Sequence, residues 1–276
     1  MELKGYSGCR LKLIEDGQAK YVKKISVNEN YNSRLQAQCL KQSEIILDGF
    51  KSCRVYDSGF EGRLFYFKME YVQGETLAEK MFDVELCEIK YIVEKMLRHA
   101  VNYEKVNLCA DSIFQTKIDD LQKKLSSRTN LNEAFDMLKN FSWQYVINSK
   151  CHGDLTLENI IVTKENLTPI DFLDSFYNSW LIDAAKILQD ADLMWSYRNV
   201  SKNNNLIVRL TIMRDLITEK IGGMFMGDKI LETVYMILLL NLLRVYPYVK
   251  DSRTENFLSL NIPYVIQKIK NHKWRV

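Results

Sequence analysis

The sequence predicts an α+β fold in two lobes, a small antiparallel-sheet lobe over residues 1–74 and a larger, mostly helical lobe over 75–276. Three observations carry this. First, the opening stretch alternates short apolar runs with turn residues. Leu11 to Ile14 and Tyr21 to Ser26 flank Glu15-Asp16-Gly17, and Leu64 to Met69 runs into a bend marked by Gly74. Second, apolar residues farther along recur at helical spacing, as in Ile89, Ile92, Val93 and Met96. Third, His152, Gly153, Asp154, Asn159 and Asp171 crowd a polar segment between apolar runs, where a loop at a lobe boundary would carry chemistry.

That segment reads Cys151-His152-Gly153-Asp154-Leu155-Thr156-Leu157-Glu158-Asn159-Ile160-Ile161-Val162, then Pro169-Ile170-Asp171-Phe172. The spacing H-x-D-x4-N, with a further Asp flanked by apolar residues, is the layout of a kinase catalytic loop and its metal-binding Asp. Phosphoryl transfer needs a carboxylate to orient the attacking hydroxyl, for which Asp154 is suited. It also needs hard oxygen ligands for magnesium, for which Asn159 and Asp171 are suited. The stretch resembles the aminoglycoside phosphotransferase and choline kinase superfamily, small-molecule kinases with a protein-kinase-like fold. Members carry H-G-D where protein kinases carry H-R-D. Thr156 stands where many protein kinases place a lysine, which argues against a protein substrate.

The resemblance implies a bilobal kinase-like fold and assigns roles in the first lobe. Gly5-Tyr6-Ser7-Gly8-Cys9 stands for the glycine-containing turn over the nucleotide phosphates, with Gly8 approaching them, although two glycines make a sparse loop. In Tyr21-Val22-Lys23-Lys24-Ile25, Lys24 shares a strand face with Val22 and is expected to reach the phosphates. Lys23 then points to solvent, and a shift of one residue would exchange the two. Residues 28–47 read as a helix with Leu35, Cys39, Ile45 and Ile46 as core contacts. The partner of the strand lysine on this helix is open between Gln38, Gln42 and Glu44. Leu64 to Gly74 resembles the kinase hinge. Met69 would line the back of an adenine pocket, the Glu70 carbonyl would accept from the adenine amino group, and the Val72 amide would donate to the ring.

The second lobe is expected to hold helices over 76–103, 112–125 and 132–141, with 106–135 as a substrate cap or as scaffold. Asp174 either supports a metal or hydroxyl or caps a helix. Asp183, in a segment like the family's D-x-A stretch, is expected to brace the catalytic loop. Asp190, Asp192, Trp195, Tyr197 and Arg198 follow, and aromatic plus acidic groups near a catalytic loop suit a cationic amino alcohol or a sugar. The acids at 174, 190 and 192 favour a neutral or cationic acceptor. His99 and His272 show no metal-ligand spacing, and His152 is expected to brace the loop and not to move protons.

Composition limits the alternatives. A net charge of +3 with no basic tract gives no footprint for nucleic acid. The six cysteines form no C-x-x-C pair and suit buried apolar positions in a reducing compartment. The longest apolar run, Val234 to Leu243, is half a membrane span and reads as a buried helix. With no signal-like leader, a cytoplasmic location is expected. The expected activity is ATP- and Mg2+-dependent phosphorylation of a hydroxyl on a small-molecule acceptor: a sugar, an amino alcohol or an aminoglycoside. A protein kinase is the alternative enzyme. A catalytically silent nucleotide-binding module is the alternative outside enzymes, kept open by the sparse glycine loop and the missing helix glutamate.

Overall fold

Five antiparallel strands form the first sheet, in the order β1-β2-β3-β5-β4: β1 (Glu2–Leu3), β2 (Cys9–Asp16), β3 (Ala19–Ser26), β4 (Val55–Glu61) and β5 (Leu64–Glu70). The computed structural model describes residues 2–3, 9–17, 19–100, 109–164 and 166–271. Gly5, Gly8, residues 106–108 of the expected cap and His272 lie outside these. The turn between β2 and β3 is made at Gly17, whose φ of 59° is left-handed and open to glycine without strain. Alternation on β3 and β5 buries Val22, Lys24, Phe65, Phe67 and Met69 on one face. The register pairs Lys24 with Leu11 on one side and Phe67 on the other.

Helix α1 (Asn32–Glu44) packs across this buried face through Leu35 and Cys39, one turn apart. The helix ends before the expected limit: Ile46 lies beyond it and is 66% exposed. Lys41, also on α1, points the other way. Its buried ammonium donates to the Leu173 carbonyl at 2.8 Å and to Asn178 Oδ1 at 3.0 Å, and so ties α1 to the segment after Asp171.

The second sheet is small: β6 (Glu75–Thr76), β7 (Ile160–Val162) and β8 (Leu167–Pro169). It frames the catalytic segment, which runs directly into β7. The expected helix over 76–103 divides. Thr76 and Glu79 form a capping box that starts α2 (Leu77–Lys80), Met81 and Val84 turn inward, and α3 (Leu86–Met96) follows. Next come α4 (Cys109–Lys124), α5 (Asn132–Asn140), α6 (Trp180–Ala191), α7 (Asn204–Gly222), α8 (Gly227–Val245) and α9 (Ser252–Asn271). The stretch Gly227–Tyr248 is long and apolar enough to cross a membrane, yet 78% of its apolar window is buried inside the protein. There it packs on α6, α7 and α9. The α+β, two-lobed architecture is the one expected.

Substituting Lys41→Met removes the buried donor while keeping much of its volume, and leaves the Leu173 carbonyl and the Asn178 side chain without it. Stability should fall by about 1–3 kcal/mol. The check is a lower urea midpoint at unchanged slope.

Candidate active site

The catalytic segment is shaped by side chains from α6. Ser179 caps the helix by accepting from the Leu181 amide, and this sets the phase in which the helix presents its polar face. Three polar residues on that face, Asp183, Lys186 and Asp190, follow the 3- and 4-residue spacing of one stripe. Asp183 is fully buried and accepts the backbone amides of His152 (2.7 Å) and Gly153 (2.8 Å). Asp190, also fully buried, accepts the Leu157 amide at 2.6 Å and the Ser196 amide at 2.7 Å. Between them Lys186 Nζ lies 3.0 Å from Asp154 Oδ1. His99 Nε2 is 3.2 Å from Asp183 Oδ2. Bracing by Asp183 was expected. The parts played by Lys186 and Asp190 were not, although helical spacing from Asp183 is a signal that points to both.

Inside the loop, His152 Nε2 lies 2.8 Å from the Ile170 carbonyl and the Asp154 amide lies 3.2 Å from His152 Nδ1. A neutral imidazole with its proton on Nε2 satisfies both contacts. Burial pushes its pKa below the ordinary value, against the pull of Asp183 and Asp154. Asn159 Nδ2 donates to the Asp154 carbonyl at 2.8 Å, which leaves its Oδ1 free to face a cation. Gly153 adopts φ 91°, and a Cβ there would stand 2.5 Å from the Leu173 carbonyl oxygen. The glycine of the H-G-D triplet is therefore a steric requirement of this fold. Asp171 is also left-handed, at φ 63°, a conformation that costs a non-glycine residue of order 1–3 kcal/mol and clusters at functional positions.

Lys24 is 2% exposed and forms an ion pair with Asp171 across the lobes, and its Nζ also donates to Gln38 Oε1 at 3.1 Å. Of the three open candidates, Gln38 is thus the helix partner of the lysine. Gln42 instead faces the Met69 sulfur and the Cys53 carbonyl, both at 3.4 Å, and Glu44 is exposed. Lys23 points outward to Glu61 at 2.8 Å, so the register is the one expected. Met69 is buried opposite Val22, in a cluster joined at its edge by Leu11, Tyr71, Val72 and Ile170. The β3–β5 pairing ends at Tyr21 and Glu70, which leaves the Val72 amide beyond the ladder. The Glu70 carbonyl has the Cys53 thiol at 3.5 Å.

No family model matches the chain, and no curated protein does. Solved structures do. A thermostable mutant of aminoglycoside phosphotransferase APH(4)-Ia, in a ternary complex with AMP-PNP and hygromycin B, aligns over 99% of this chain and 94% of its own, with TM-score 0.62 and 12% identity. The fold is that of the small-molecule kinases. A putative fructosamine-3-kinase from Haemophilus somnus aligns over 99% and 91%, with TM-score 0.57 and 16% identity. A choline/ethanolamine kinase family protein from Mesorhizobium loti aligns over 99% and 88%, with TM-score 0.54 and 14% identity.

Against this kinase-like frame the electrostatics are specific. Burial works to raise the Asp154 pKa, but the charge and hydrogen bond of Lys186, helped by His152 and Arg244, hold the carboxyl below its usual range. Asp154 is thereby an ionised, one-third exposed carboxylate (34%). The expected acid-lined acceptor cleft is corrected. Asp190 is enclosed by backbone amides. Asp192 is fully buried against Lys268 (2.5 Å), Tyr264 (3.1 Å) and Tyr235 (3.3 Å), because α9 and α8 close over it. Asp174 is exposed. The aromatics there are packing groups as well. Tyr197 is buried with its hydroxyl on the Ala78 carbonyl at 2.9 Å, and Trp195 packs edge-on to Phe257 and beneath Arg198.

Glu158 adds an unexpected titrating group. Burial, then the nearby charge of Asp190, pushes its pKa from 4.5 up to about 7, against Arg198. Asp190 is itself raised to about 6 by burial. A carboxyl raised in the folded state binds its proton more tightly there than when unfolded. Stability therefore declines as pH rises from 4.5, and the loss is complete above about 7. Glu158→Gln should gain on the order of 1–2 kcal/mol at pH 8 and nothing at pH 4, as read by denaturant unfolding at both pH values.

Proposed function

We propose that this chain is an ATP- and Mg2+-dependent phosphotransferase acting on a hydroxyl of a small molecule, with residues 1–74 holding the nucleotide and 75–276 the acceptor. The observation that carries this reading is the convergence of five side chains where the two lobes meet. Lys24 reaches Asp171 across the lobes, Asn159 is hydrogen-bonded to Asp154, and Asp154 is kept ionised by Lys186. The apolar cluster of Val22 and Met69, with Leu11, Val72 and Ile170 packed against it, is the chemistry that suits the flat face of a purine, with the backbone at Glu70 and Val72 as its polar reader. A cytoplasmic setting, where ATP is abundant, accords with this reading.

In this scheme Asp154 orients the acceptor hydroxyl and takes up its proton. Oδ2 is the oxygen for this task, since Oδ1 is engaged by Lys186. Lys24, steered by Gln38, holds the α- and β-phosphates. Asn159 Oδ1 and the Asp171 carboxylate are hard oxygen donors that fit magnesium. When bound, the ion neutralises charge on the phosphates. Asp183 and Asp190 hold the loop so that Asp154 keeps its position without touching the reactants. Thr156 is buried where many protein kinases present a lysine, and the cation beside the base comes from α6 instead. This favours a small-molecule acceptor (a sugar, amino alcohol or aminoglycoside) over a protein. The silent-module alternative draws on the glutamine partner of Lys24. It predicts nucleotide binding without transfer.

Asp154→Asn should lower turnover by roughly 10²–10⁴-fold and leave ATP binding nearly intact. Steady-state ADP release against pools of hydroxylated metabolites, with product masses, tests this, and near-wild-type turnover would remove Asp154 from the chemistry. Asp171→Ala should abolish the magnesium-dependent part of nucleotide affinity, whereas Asn159→Ala should weaken it less, because a neutral amide contributes less to a cation. Calorimetry with ATP, with and without magnesium, measures both.

A further inference from the structure

Two partly buried cations on the acceptor side are gathered at one aromatic ring. Lys117 of α4 and Arg244 of α8 lie against the same ring, that of Phe176, at 5.8 Å and 5.1 Å from its centroid. Phe176 and Lys117 line a cavity of about 320 Å³ together with Ser112, Ile113, Thr116 and Asp120. Among the described residues, no carboxylate oxygen comes within 4.0 Å of either cation. The one polar partner of the Arg244 guanidinium is the neutral Asn241 Oδ1 at 3.1 Å. Both groups are held partly out of water, and each has its pKa lowered, by burial first. The Arg244 and Lys124 charges add to the effect on Lys117 against Asp120, and that of Arg34 on α1 adds to the effect on Arg244 against the larger, opposing charge of Asp154. Arg244 also helps to keep Asp154 ionised, and through the Phe176 ring it adjoins the cavity.

Facing like charges on half-buried side chains are unfavourable until an anion joins them. We propose that the acceptor is anionic: a hydroxylated small molecule whose carboxylate or phosphate ester is held by Lys117 and Arg244, its hydroxyl turned toward Asp154. This rests on the phosphotransferase reading and names the substrate class of that site. Ser112 and Thr116 on the exposed face of α4 add hydroxyls for the polar remainder of such a molecule, and the Phe176 ring gives it a flat wall.

A matched set of six-carbon polyols isolates the charge: D-gluconate, D-glucitol and D-glucamine, which are anionic, neutral and cationic at one end. Calorimetry with ADP and magnesium present should show gluconate binding at least about tenfold more tightly than the other two. Lys117→Ala and Arg244→Ala should each erase that preference while ATP affinity stays as in the wild type. Equal or undetectable binding of all three, a preference for glucamine, or a preference that survives both substitutions overturns the anion site. Phosphate transfer is read separately by ADP release and product mass. A charge preference that follows Lys117 and Arg244, with no transfer to any hydroxylated acid, would sink the phosphotransferase reading and leave the anion site standing.

Discussion

The candidate site depends on one buried carboxylate. Asp183 accepts two consecutive backbone amides, those of His152 and Gly153, from a fully buried position. A carboxylate so enclosed is tolerable only while its donors are in place, and the loop amides are satisfied only while the carboxylate is. The position of α6 and the course of the catalytic loop thus specify one another. Two turns on, Asp190 repeats the device at Leu157, and Lys186 between them reaches the Asp154 carboxylate, which stays partly in solvent. A single helix face in this way holds both ends of the loop and sets the charge environment of Asp154.

The cleft itself is held together from the other lobe. Lys24 and Lys41 both leave the first lobe to meet the segment around Asp171, one at the Asp171 carboxylate and one at the Leu173 carbonyl. That segment carries backbone strain at Asp171, and the neighbouring Gly153 is pressed against Leu173. Strain of this kind persists where surrounding contacts over-determine the geometry, and these two lysines supply such contacts. They also tie the lobe geometry to charge at Lys24, since an anion approaching that ammonium would compete with Asp171 for it.

Charge in the acceptor region shows how far sequence proximity misleads. Asp190 and Asp192 follow the catalytic segment closely and look like cleft residues. The helix turns one into the loop and the other into a pocket closed by Lys268, Tyr264 and Tyr235 from distant elements. Lys117 and Arg244, from helices on either side, meet at Phe176 instead. The sign of the local field is therefore set by how packing distributes the charged side chains, not by their order in the chain.

The sequence by itself determined the architecture and named the candidate site residues that the structure brings together. Alternation in the strand of Val22 and Lys24, read with the kinase-like pattern, favoured Lys24 inward and Lys23 outward, and the β3–β5 register fixes that choice. The spacing of His152, Asp154, Asn159 and Asp171 was enough to bring those four residues to one loop and its neighbouring strand end. These are local matters, governed by strand and loop geometry over a few residues. What only the tertiary structure decided were the partners: Gln38 and not Gln42 or Glu44 for Lys24, Lys186 for Asp154, Lys41 for Leu173, and burial for Asp190 and Asp192. Each of these joins residues far apart in the chain through helix phase and packing. A side chain's neighbours there follow from where whole helices come to rest against one another, which residue spacing along a single segment does not encode.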